Sequence, residues 1–366
     1  MATGFVFDER YMWHDTGSAA GYMPAGGYVQ PEPHMESPES KRRFRSLLEV
    51  SGLSKKLVSI ESRMGTQEEL RYFHTEEYIE KIRCLSNASG GDAGDITPFG
   101  PGSFEIALLA LGGCLELANA VLQGKIKNGY ALIRPIGHHA EADRGRGFCI
   151  FGNAAITAKY AQKVHGLGRV ATVDWDVHHG NGTQWAFYRD PSVLTISIHQ
   201  DGYYPADSGS IDETGEGDGE GYNLNIPLPA GSGHEAYIAV IERVVFPALK
   251  AFNPELIIVP SGFDANVLDP LGRMMNTSKT YRIMTLLLME LANEICQDRL
   301  LMVHEGGYST AYVPFCGLAV MEALSGIKTE VEDPYLEAYD SLPGQELQPH
   351  QNAVIKKCED LATKVK

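Results

Sequence analysis

The chain has 366 residues, 43% hydrophobic and 21% charged, the make-up of an ordinary globular protein whose core can stand without disulfides. A formal net charge of −16 excludes the basic face a nucleic-acid binder needs; it suits cationic substrates such as lysine-rich segments or amines, and equally plain solubility. Six scattered cysteines without CxxC spacing are the usage of a reducing cytosol, so a cytoplasmic location is expected.

In chain order, Asp8, Glu9 and Asp15 break up the N-terminal apolar residues, which removes a secretory signal from consideration. Residues 1–50 read as irregular, and the Gly- and Pro-rich segment 17–34 as a long surface loop, a binding rim or a contact in a homo-oligomer. Lys41-Arg42-Arg43-Phe44-Arg45 reads as the basic face of a helix over 38–50 rather than a nuclear address. The apolar stretch Ile106–Leu122 contains Glu116 and Asn119; it predicts a buried helix, and no membrane partner is expected.

From Phe104 onward helix and strand signals alternate. Helical spacing is clear in Tyr237, Ile241, Val244, Ala248 and Phe252, and again in Tyr281, Met284, Leu288, Leu291 and Ile295. Between the helices lie short runs rich in Val and Ile: Tyr130–Ile133, Arg169–Val173, Val193–Ile198, Tyr222–Ile226, Leu256–Val259 and Leu300–Val303. They predict strands buried on both faces, hence an α/β fold of three layers, a mostly parallel central sheet with helices on both sides. Without a repeat or a convincing linker, residues 1–366 are expected to form a single catalytic domain.

The polar motifs fall just past strand ends. His138-His139 follows the first run, Asp174 to His179 the second, Asp264 the fifth and Tyr308 the sixth. In an open parallel sheet those carboxyl ends share one edge, where ligands bind. Asp174, Asp176 and His178, spaced i, i+2, i+4, would lie on one side of an extended segment. Asp176 and His178 can ligate one metal, with Asp264 as third ligand and an open fourth position, the pattern of a catalytic site. Zinc fits best, and Fe(II) tolerates the same set. His138 and His139 are candidate bases that Asp174 can orient, and Tyr308, after two glycines, can hold an oxyanion.

The segments Arg134-Pro135-Ile136-Gly137-His138-His139, Gly147 to Asn153, Asp174 to Gln184, Ser261-Gly262-Phe263-Asp264 and Glu305-Gly306-Gly307-Tyr308 resemble the histone deacetylase superfamily of zinc amidohydrolases over about residues 35–325. The likeness is to class II members, above all bacterial histone deacetylase-like amidohydrolases. It implies a zinc-dependent hydrolase that removes acetyl or short acyl groups from N6-acyl-lysine or a similar acylated amine, releasing acetate and a free amine. Asp176, His178 and Asp264 would bind zinc, His139 would act as base and then acid, His138 would pair with Asp174, and Tyr308 would polarise the carbonyl. Gly147, Phe148, Tyr204, Leu271 and Gly306 would form the substrate tunnel, Tyr204 standing where many relatives carry Phe. Potassium would sit at one or two places: among Asp174, Asp176, His178, Ser197 and Ile198, and among Phe187, Asp190, Val193 and Tyr222. Three other readings stand beside this one. An acetylpolyamine amidohydrolase would want a carboxylate where Leu271 stands. A non-catalytic acetyl-lysine binder would have lost the Tyr308 phenol. A binuclear manganese hydrolase of the arginase type would need further carboxylates where Trp175 and Asn181 stand.

Overall fold

Runs of Val, Ile and Leu that are apolar at every position bury both faces, so they assemble side by side under helices rather than facing water. The computed structural model, which describes residues 2–366, has eight strands in its central sheet, seven of them buried along their whole length. They are β1 (Thr3–Val6), β2 (Val58–Ile60), β3 (Asn128–Ala131), β4 (Val170–Asp174), β5 (Val193–Gln200), β6 (Asn223–Leu228), β7 (Leu256–Ser261) and β8 (Leu300–His304). Across the sheet the order is β6, β5, β4, β7, β8, β3, β1, β2, and every neighbouring pair is parallel.

The alternation along β7 shows how the layers form. Ile257 and Val259 join the core under α1 (Glu39–Val50), whose Phe44 is fully buried there. Leu256 and Ile258 point the other way, toward Leu117 of α2 (Ser103–Leu122) and Ala158 of α3 (Asn153–His165). The first face is completed by α4 (Ser278–Cys296) and α5 (Val313–Ser325), which pack on each other, α5 also packing on α1. Helix α2 is long and apolar enough to cross a membrane, but 72% of its apolar window is buried within the protein.

Several expectations need correction. Residues 1–50 are not irregular throughout: β1 lies inside the sheet between β3 and β2. With only four residues, one of them Gly4, it carries little strand signal of its own. The segment 17–34 holds a small antiparallel sheet of Ser18–Ala20, Met23–Pro24 and Glu32–Pro33. The helical run from Tyr237 to Phe252 is interrupted by a π-turn at Ile241–Val245 between His234–Val240 and Phe246–Phe252. Pro247 has no N–H to give to the preceding turn, and its ring forces that turn wider. Lys41 is not on a solvated basic face. It is fully buried, 2.9 Å from Glu36, which Arg134 also grips.

Candidate active site

β4, β7, β8 and β3 are consecutive in the sheet, so the segments leaving their carboxyl ends meet. Asp174 is the last residue of β4 rather than the first beyond it. The three-residue set does not line up by strand pleat. The Asp176 N–H donates to Asp174 Oδ1 at 3.0 Å and the His178 N–H to Asp176 Oδ1 at 2.9 Å. These are two linked turns closed by side chains two residues back, and they bring Asp176 and His178 to the edge. Trp175 and Val177 turn into the core, with Trp175 Nε1 donating to Ser261 Oγ at 3.2 Å.

Asp176, His178 and Asp264 each bring a ligand atom to within 4.8 Å of the others, and all three are buried. His178 Nδ1 is 3.1 Å from Asp176 Oδ1 and 3.1 Å from Asp264 Oδ2. Its Nε2 lies 3.1 Å from the Leu271 carbonyl, which only accepts, so Nε2 carries the proton and Nδ1 faces the carboxylates. Backbone N–H groups of Gly306 and Val177 hold Asp176 Oδ2 and Asp264 Oδ1, each at 2.8 Å. A Cβ at Gly306 would fall 2.0 Å from Asp264 Oδ2, so no other residue passes so close.

The electrostatics describe a place built for positive charge. Burial and the Asp176 carboxylate push Asp264 up to about 6. Burial alone would raise Asp176 too, yet His138 and His178 hold it far below the usual carboxylate range. Burial would lower the His178 imidazole, but hydrogen bonds to both carboxylates keep it well above its ordinary value. Two oxygens and one nitrogen converging in this way fit a divalent cation such as zinc.

The His138 and His139 rings lie 3.9 Å apart, tilted at 43°, and have different partners. His138 Nδ1 is 3.0 Å from Asp174 Oδ2. Burial works against its charge, but Asp176 and Asp174 raise it to about 10. His139 Nδ1 is 2.8 Å from Asn181 Oδ1. Asn181 Nδ2 donates to Glu141 at 2.8 Å, so its oxygen is the atom facing His139 and takes the Nδ1 proton. Burial, then the His138 and His178 charges, hold His139 well below its ordinary value, and its Nε2 is left as a free acceptor.

A cavity of about 240 Å³ opens over these groups, lined by His139, His178, Gly147, Phe148, Tyr204, Leu271 and Tyr308, together with Tyr22, Ile96 and Tyr203. Gly306 is not part of this lining; it packs under the Asp176 and Asp264 carboxylates. The Tyr204 hydroxyl donates to Asp95 Oδ2 at 3.2 Å. The Tyr308 ring meets Phe148 edge-on at 5.9 Å, and burial pushes its phenol well above the ordinary value. His179 lies outside the donor set, 3.2 Å from Ser197 Oγ and with its ring tilted against His199 at 4.7 Å.

Of the residues set aside for potassium, Ser197 faces Asp174 across the β4–β5 ladder, with Ile198 next to it. Phe187, Asp190, Val193 and Tyr222 gather at the amino end of β5 and β6, where Asp190 N–H already takes the Phe187 carbonyl at 2.9 Å and Thr195 N–H the Tyr222 carbonyl at 3.0 Å.

Sequence reasoning missed three contributors. Asn181 offers neither carboxylate nor imidazole and so carries no signal for a zinc site. Glu305 Oε2 accepts the Gly137 and His138 N–H groups at 2.8 and 3.1 Å and so seats His138. Asp269 accepts backbone N–H groups from two loops. Tyr22, in the 17–34 segment read as a binding rim or a homo-oligomer contact, lines the cavity.

The sequence matches the histone deacetylase domain over residues 34–324. It is 49% identical over 335 residues to the "Histone deacetylase-like amidohydrolase" of Pseudomonas aeruginosa, covering 91% of this chain and 88% of that protein. It is 36% identical to "Histone deacetylase HDA1" of Saccharomyces cerevisiae, covering 91% of this chain and 50% of that protein. The crystal structure of the HDA15 HD domain superposes with a TM-score of 0.86 at 33% identity, covering 99% of this chain and 94% of that one. The matched span contains the strand ends and every donor that converges at them, and the chain belongs to the histone deacetylase family.

Proposed function

We propose that this protein is a zinc-dependent amidohydrolase that removes acetyl or short acyl groups from N6-acyl-lysine or a similar acylated amine. The observation that carries this is the Asp176, His178 and Asp264 donor set beside a cavity that also presents His139 and Tyr308. Zinc held by the three donors would polarise the scissile carbonyl and acidify the attacking water. His139, kept neutral, takes the water proton at Nε2 and returns it to the departing amine nitrogen. The Tyr308 phenol, kept protonated, donates to the carbonyl oxygen as charge builds there. His138, held by Asp174, supplies fixed positive charge beside the reacting atoms. Phe148 and Tyr204 wall the aliphatic stem and exclude water. The products are a carboxylate and a free amine.

Potassium at the two oxygen-rich sets on β4, β5 and β6 belongs to the same proposal, as does a cytoplasmic location, which rests on six unpaired cysteines. The test is a panel of acetyl-lysine peptides, longer acyl-lysines, acetylputrescine and acetylspermidine, each with and without a chelator. Turnover of acetyl-lysine peptides that a chelator abolishes and zinc restores is expected. Turnover of the polyamines alone would replace the substrate, and chelator-insensitive turnover would remove the mechanism.

A further inference from the structure

The geometry points to Asp269 as the residue that positions Tyr308; the inference rests on the assignment of Tyr308 as the group that polarises the carbonyl. Asp269 is buried at 7% exposure and does not line the cavity. Its Oδ2 accepts the backbone N–H of Tyr308 at 2.7 Å and of Ser309 at 3.1 Å, and its Oδ1 accepts that of Leu271 at 2.9 Å. One carboxylate thus joins the segment leaving β7 to the segment leaving β8.

Tyr308 needs such an anchor. It follows Gly306 and Gly307, and Gly307 has a φ of 127°, open to few residues but glycine; the pair is tied down by the Gly306 N–H to Asp176 Oδ2 and by Ser40 Oγ to the Gly307 carbonyl, each at 2.8 Å, which leaves the N–H of Tyr308 itself to be held. Among the described residues nothing hydrogen-bonds the Tyr308 hydroxyl; its ring packs in a small apolar cluster with Ile136, Ala140, Phe148 and Cys149, with Lys41 Nζ 5.6 Å from its centre. Apolar packing alone sets no direction for the phenol; the hydrogen bond that fixes the residue's own backbone is the one Asp269 accepts from its N–H. The local sequence supports the geometry: in Asp269-Pro270-Leu271 the proline offers no N–H, and the carboxylate closes a turn on the N–H two residues on.

The experiment compares wild type, Asp269→Asn, Tyr308→Phe and the double variant. It measures turnover of an acetyl-lysine peptide, zinc content, and amide hydrogen exchange across residues 305–312. Asp269→Asn is expected to lower kcat by about 10- to 100-fold, as a small displacement of a reacting group does. Zinc stoichiometry should stay unchanged, and exchange across 305–312 should quicken relative to β8. The substitution should cost nothing further in the Tyr308→Phe background, because it acts through the phenol. An equal loss in both backgrounds overturns the proposal, as does unchanged turnover or unchanged exchange. Should wild type turn over no acylated amine, the functional reading fails and exchange alone decides: faster exchange keeps Asp269 as the anchor, unchanged exchange removes it. If Asp269→Asn does not fold, Asp269→Glu shifts the carboxylate by one methylene and is judged by the same readouts.

Discussion

His138 and His139 are neighbours in the chain, separated in chemistry by one partner atom. A carboxylate oxygen from Asp174 favours the imidazolium of His138, whereas the amide oxygen of Asn181 orients His139 without charging it. Environments that drive two like groups apart assign fixed charge to one and proton transfer to the other. Asn181→Asp should therefore raise the His139 pKa and move the acid limb of the kcat/KM against pH profile by about one unit or more toward alkaline pH. An unmoved limb would take Asn181 out of that role. Tyr308→Phe should lower kcat by about 10²- to 10³-fold with zinc retained, the loss of one oxyanion donor. Tyr204→Phe tests the tunnel wall: the hydroxyl is committed to Asp95, so the ratio of acetyl to longer acyl turnover should not change. A changed ratio would place that hydroxyl at the acyl group.

Between elements, the arrangement depends on buried charge as much as on apolar packing. Glu36 precedes α1, Lys41 lies within it and Arg134 follows β3; the one carboxylate accepts from both cations, at 2.9 Å from Lys41 Nζ and 2.9 Å from Arg134 Nε. Removing the shared anion leaves two buried cations unpaired, so Glu36→Gln should destabilise the fold by about 3–5 kcal/mol, read by chemical denaturation. Burial alone would raise the Glu36 carboxyl, but Arg134 and Lys41 hold it well below its ordinary range. A depressed carboxylate contributes stability above its unfolded pKa of about 4.3, and that contribution is lost as pH falls further. His74 acts in the same direction at higher pH. It is buried and neutral, accepting the Gly152 N–H at 2.9 Å, and burial pushes it down to about 4. The unfolded chain takes up that proton near pH 6.5, so stability falls from about 6.5 toward 4. Denaturation midpoints should accordingly drop from pH 7 to 5.5 and again below 4.5; a midpoint constant across that window would contradict both assignments.

At the scale of the whole molecule, the sheet's central edge gathers like charges that a bound cation would neutralise, so zinc should raise the melting temperature. By linkage the gain is about 4 kcal/mol at a thousandfold excess over Kd. Asp264→Ala should abolish both the stoichiometric zinc and the shift, while a shift that survives would move the site elsewhere. Much of this edge was legible in the chain. Buried strands show as apolar runs, metal donors as a dense Asp and His cluster, and motif order along the chain survives folding unchanged. Strand limits moved by one or two residues, because ladders end where partners end. What periodicity and composition did not contain was the set of partners. His178 and Asp264 are 86 residues apart and meet because β4 and β7 are neighbours. Tyr308 and Asp269 are 39 apart and meet because β7 and β8 are neighbours. β1 is a strand because the sheet has a place for it, and Lys41 is a core residue because Glu36 and Arg134 make one. The sequence by itself determined the residue chemistry and the local periods that bury each run. Only the tertiary structure decided which carboxylate, amide or backbone N–H faces each functional group, because a hydrogen bond depends on proximity in space, and strand order rather than chain distance sets that proximity.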